Sequence, residues 1–136
     1  MKYILMMSTP RDGYAQFLSW PKQLLEANIA FMQDFARKLR ESGELAEAAG
    51  LASPQEAKRV RAGIDGRPIT DGVFPETKEF LAGYWIVDVE SAERAFEIAA
   101  EASTAPGQPV RTASGEMIEH LWIEVRALMS SHREVR

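Results

Sequence analysis

The chain has 136 residues, 46% of them hydrophobic and 26% charged: enough apolar material for one core, and too little bias for wholesale disorder. Its 16 basic residues are outnumbered by 20 acidic ones, and a net charge of −4 argues against a nucleic-acid partner. The absence of cysteine excludes disulfides, thiolate metal sites and a cysteine nucleophile, and fits a cytoplasmic setting.

At the N-terminus, Tyr3-Ile4-Leu5-Met6-Met7 is too short for a signal-peptide core or a membrane span, so neither is expected. The run reads as a buried strand over 2–7, closed by Ser8-Thr9-Pro10. Residues 8–18 read as a loop. From Ser19 to Ser42 the period becomes helical, with Leu25, Ile29, Met32, Phe35/Ala36 and Leu39 forming one apolar stripe. Ser19 is the expected N-cap, Pro21 sits in the first turn, and Gly43 is the stop.

Residues 44–50 are Ala-rich and ambiguous, and Ser53-Pro54 marks a loop. Residues 58–62 and 66–70, joined through Asp65-Gly66, predict a hairpin, since this dipeptide readily takes the positive φ of a tight turn. Residues 71–80 form a charged loop. Residues 81–89 predict a strand dense in β-branched and aromatic side chains. Ser91 caps a second helix whose inner stripe is Ala92, Ala95, Phe96, Ala99 and Ala102. A loop with Pro106, Gly107, Pro109 and Gly115 leads to a last strand, Met117–Leu128. Residues 1–128 thus read as one domain and 129–136 as a polar tail.

The order β-α-β-β-α-β predicts an α+β, ferredoxin-like antiparallel sheet with both helices on one face. Period two puts Leu121, Ile123 and Val125 on the helix face of the last strand, with Ile118, His120, Trp122, Glu124 and Arg126 opposite. Likewise Leu81, Trp85, Val87 and Val89 oppose Ala82, Tyr84, Ile86 and Asp88. The second face is too apolar for bare water and too charged for a dry core. It suits a homodimer interface enclosing a pocket, with Ile118, Trp122 and Tyr84 buried there.

The segment Thr70-Asp71-Gly72-Val73-Phe74-Pro75-Glu76-Thr77-Lys78-Glu79 resembles the signature TDGPFAETKE of the DGPF branch of the YCII-related family. The opening strand, Val60-Arg61 with Gly66, the Leu81–Trp85 strand and Ile123-Glu124-Val125-Arg126 are similar to that family's flanking motifs. Val73 stands where the signature has proline, and Pro75 where it has alanine. The resemblance implies a dimeric α/β-barrel assembly, a pocket between sheet and partner, and frequently no assigned activity. It also implies an association with sigma factors of the extracytoplasmic-function type. The His/Asp pair of the YCII branch is not carried over: Asn28–Phe35 holds no histidine, and Met32 occupies the corresponding position.

Two functional readings stay open. One is a binding protein, accessory to transcriptional regulation, that holds a small anionic molecule in a cleft at the dimer interface. Its expected lining is Arg61, Asp71, Glu76, Thr77, Lys78, Tyr84, His120 and Arg126, because guanidinium forks bind carboxylates bidentately. The other is a small lyase-, isomerase- or hydrolase-like enzyme using Asp71, Glu76 or His120 as acid or base. The structural alternative for the loop is an Asx turn at Asp71, positive φ at Gly72 and Phe74 plugging the core. No spacing gathers three metal ligands, and no nucleotide fingerprint is present, so neither metal nor cofactor is expected.

Overall fold

The computed structural model describes residues 1–10, 13–72, 79–111 and 115–129. Its elements are β1 (Lys2–Thr9), α1 (Gly13–Leu18), α2 (Lys22–Glu41), β2 (Leu45–Gly50), β3 (Lys58–Ala62), β4 (Pro68–Gly72), β5 (Phe80–Asp88), α3 (Ala92–Ser103), β6 (Val110–Arg111), β7 (Met117–Ile118) and β8 (Ile123–Ala127). The main sheet is antiparallel in the order β2-β5-β1-β8, compatible with the ferredoxin-like arrangement. β3 pairs with β4, and β6 with β7, as two separate ribbons.

The expected hairpin therefore forms with its Asp65-Gly66 turn, Gly66 at φ 83, but it lies outside the main sheet. The edge strand that completes the sheet is β2, in the Ala-rich stretch whose propensity gave no strand signal. Pairing overrides propensity here. β2 borrows its ladder from β5, and Glu44 O accepts Asp88 N–H at 2.8 Å just before the strand begins.

Register assigns the two faces of the sheet. Leu5 opposes Trp85 and Tyr3 opposes Val87, so these residues point to one side. On that side α2 and α3 supply Phe35, Leu39, Ala95, Ile98, Ala99 and Ala102 to a single core. Phe35 meets Trp85 edge to face with centroids 5.5 Å apart. Ile123 and Val125 pack against the same core from β8, on the face that period two assigns them.

Several expectations are corrected. A register shift beyond Met7 opposes Ser8 to Leu81, so Leu81 leaves the helix face and is exposed. On α3 Ile98 is buried with Ala95, Ala99 and Ala102, and Phe96 is 55% exposed. On α2 Ile29 is exposed, whereas Asn28, Phe31 and Met32 turn inward. Ser19 caps nothing on α2. Its hydroxyl donates to Gln16 O at the end of α1, a helix that lies within the expected loop 8–18. Gly43 and Ser91 terminate and cap as expected, Gly43 at φ 78 and Ser91 accepting Arg94 N–H at 3.2 Å.

The expected last strand is broken at residues 119–122. Ser103 Oγ donates to Leu121 O at 2.6 Å and holds the bend against α3. His120 and Trp122 thus have no place on the sheet face, Ile118 belongs to the small β6–β7 ribbon, and Trp122 is 84% exposed. Gly72 ends β4 opposite Lys58 without a positive φ. Phe74, with residues 73–78, and the tail from Ser130 lie outside the described residues.

Ile98 is fully buried, so Ile98→Ala should lower unfolding free energy by about 2–5 kcal/mol in urea titrations. Phe96→Ala should cost less than about 1 kcal/mol, the reverse of what sequence spacing implies. A second outcome concerns Glu44, which accepts from Arg94 Nε at 2.8 Å and Nη2 at 2.9 Å. The guanidinium, helped by the Ser42 hydroxyl, holds the Glu44 carboxyl below its ordinary 4.5. A depressed carboxyl stabilises the fold above its unfolded pKa, and that contribution is lost as pH falls through the lower folded value. Arg94 is 40% exposed, so solvent screens the pair to about 1 kcal/mol. Glu44→Gln should show that deficit at neutral pH, and the deficit should fade as pH drops below about 4.5.

Candidate functional site

Under the N-terminal half of α2, which brings Asn28 and Met32, the space above the sheet is closed differently. Beyond the Met7/Ser8 register shift, β1 runs through Thr9 and Pro10 to α1. This short helix buries no residue of its own. Phe17 meets Trp20 edge to face at 5.1 Å, and Trp20 lies against Gly107, where a Cβ would come within 2.8 Å of the indole. Glycine at 107 is what allows that approach. Asn28 Nδ2 donates to Pro106 O at 2.8 Å and ties α2 to the same loop.

Between these parts and the β1–β5–β2 end of the sheet lies a cavity of about 540 Å³. Its aromatic wall is Tyr14, Phe17, Trp20 and Trp85, with Met7 and Met32 beside them, and Tyr84 borders it from β5. The polar lining is neutral: Ser8, Thr9, Gln16, Asn28, Ser53 and Gln108. Among the described residues no carboxylate, imidazole, ammonium or guanidinium lines it. Small residues of β2, Ala48 to Gly50, form the floor opposite Gly83, whose Cβ position lies 3.0 Å from Ala49 O. Such a chamber desolvates a flat apolar body and supplies hydrogen bonds, but its described lining offers no strong acid or base.

The residues singled out from the sequence fall elsewhere, with one exception. Tyr84 lines the cavity. Arg126 sits on β8 opposite Ile4, exposed, on the sheet face away from the helices. His120 is exposed in the bend. Arg61 and Asp71 lie on the β3–β4 ribbon, on its same face but away from the main sheet. Glu76, Thr77 and Lys78 lie outside the described residues.

Asp71 shows why a carboxylate in a suggestive loop is a poor base here. Arg59, directly across the ribbon, donates Nη2 to its Oδ2 at 2.9 Å, and the Gly72 N–H donates to Oδ1 at 2.8 Å. The guanidinium first, and the amide second, hold the Asp71 carboxyl below its ordinary value. Of the backbone-bonded alternative read from the sequence, a bond from the loop's own amide is present, but it comes from the very next residue and Gly72 has no positive φ.

Sequence reasoning missed Phe17, Trp20, Asn28 and Gln108. One signal could have been found: an asparagine on the inward side of an otherwise apolar helical stripe. The rest depends on α1 and the 104–109 loop, which come together only in three dimensions.

The YCII-related domain model matches residues 1–107, a span that includes β1, β5 and most of the cavity wall. An uncharacterized protein of Rhizobium meliloti (strain 1021), R00369, is 31% identical over 87 residues, covering 64% of this chain and 70% of the relative. With the domain model matched across most of this chain and that similarity beside it, the chain belongs to the YCII-related family.

Proposed function

We propose that the protein binds a small, uncharged, largely aromatic molecule in the cavity beneath α1, without turning it over. The observation that carries this reading is a chamber of about 540 Å³ lined by Tyr14, Phe17, Trp20 and Trp85 and by neutral polar groups. The anionic ligand expected from the sequence needs Arg61, Tyr84, His120 and Arg126 to converge, and of these only Tyr84 reaches the chamber. An anion entering it would shed its hydration with no cation in the described wall to replace it. An accessory to transcriptional regulation that responds to ligand occupancy fits this chemistry better than a lyase, isomerase or hydrolase, which needs an acid or base in the wall.

The protein acts as a homodimer in this reading, assembled as a dimeric α/β barrel through the uncovered sheet face. Ile4 and Met6 of β1 lie between Ile86 and Tyr84 on one side and Arg126 and Glu124 on the other. That stripe, rimmed by charge, has no helix over it among the described residues and gains most by meeting its own copy.

N-phenyl-1-naphthylamine, an uncharged fluorophore, should bind with a rise and blue shift of emission. Its sulfonated counterpart 8-anilinonaphthalene-1-sulfonate should bind at least about tenfold more weakly, because the same rings then carry a charge into the chamber. No binding of the neutral dye would remove the cavity reading, and tighter binding of the sulfonate would restore the anionic one. Sedimentation velocity at micromolar concentration should give a dimer mass, and Ile86→Glu, which puts a charge into the contact, should give the monomer.

A further inference from the structure

Asn28 breaks the chemistry of its own helix. It sits on the inward side of α2 one turn before Met32, where the stripe that continues through Phe35 and Leu39 would take an apolar side chain. An inward polar group needs a partner, and Asn28 has one on one side only: Nδ2 donates to Pro106 O at 2.8 Å.

That single bond fixes the orientation of the amide. A proline carbonyl can only accept, so the nitrogen must face Pro106 and Oδ1 must face the other way. No donor among the described residues reaches Oδ1. No enclosed side-chain oxygen or nitrogen lacks a partner among them either, so Oδ1 opens onto free space. Asn28 is half-buried and is one of the residues that line the chamber. The Trp20 ring, seated against Gly107, braces the loop that holds Pro106 in place.

We infer that Asn28 Oδ1 is the hydrogen-bond acceptor that selects, among uncharged aromatic ligands, those carrying an O–H or N–H donor. This rests on the cavity reading above and narrows it to one class: neutral phenols, indoles, anilines and related rings whose donor projects from the ring edge. The aromatic wall holds the flat body of such a molecule, and Oδ1 orients it by the one group that plain arenes and ethers lack.

The test is a matched pair, 2-naphthol and 2-methoxynaphthalene, measured by equilibrium dialysis on the full chain. The two share a ring system and differ in whether the oxygen can donate. The wild type should prefer 2-naphthol by roughly five- to tenfold, the worth of one hydrogen bond. Asn28→Ala should erase that preference while still holding 2-methoxynaphthalene, which serves as the check that the chamber is intact. Asn28→Leu, close in size and apolar, should do the same if the alanine variant folds poorly. Equal binding of the pair by the wild type would overturn the inference and leave the cavity reading standing. So would a preference that survives loss of Asn28. Failure of the wild type to bind either compound would instead sink the cavity reading itself.

Discussion

The edge-to-face contact of Phe35 with Trp85 decides where α2 crosses the sheet, and the remaining architecture follows from that crossing. Trp85 is 8% exposed and stands on β5, which is hydrogen-bonded on both sides, so its ring has little freedom to move. C-terminal to Phe35 the helix settles onto the sheet through Leu39 and ends at Gly43, which turns the chain into β2. N-terminal to Phe35 the helix passes over the end of the sheet, where small residues stand below it. The space left there is closed by α1 and the 104–109 loop. One aromatic pair therefore separates a packed half from a hollow half, and Trp85 belongs to both.

The parts legible in the sequence are those set by local pattern. Leu5, Val87, Phe35 and Leu39 announce themselves by period two or period 3.6, and Ser91, Gly43 and Gly66 by capping and turn chemistry. The illegible parts are set by what the chain meets later. Ala46 to Ala49 becomes a strand because β5 offers an edge, and nothing within the segment records this. Leu81 changes face because of one register shift, to which a parity argument is blind. His120 and Trp122 leave the sheet because Ser103, from another element, takes the Leu121 carbonyl.

The site was harder to read for a related reason. Charged residues stand out in a sequence and drew attention to Asp71, Glu76, Lys78, His120 and the arginines. The chamber is built from neutral residues that look like ordinary core or loop: Trp20, Phe17, Gln108 and Asn28. Such residues become informative only when they fail to touch one another. An unfilled volume is a property of the fold and has no signature in composition.

The β3–β4 ribbon has a consequence for how the molecule breathes. Its five cross-strand pairs are joined to one another and not to the main sheet, and Val60, Ile64 and Ile69 are exposed along it. Opening it breaks its own ladder, while the core of α2, α3 and β5 stays closed. Amide protons at Arg61 or Ile69 thus exchange with solvent through a local excursion much cheaper than global unfolding, whereas those at Leu5 and Val87 wait for the whole domain to open. The chain behaves as two cooperative units of unequal depth, and the shallower one leads directly into residues 73–78 of the sequence.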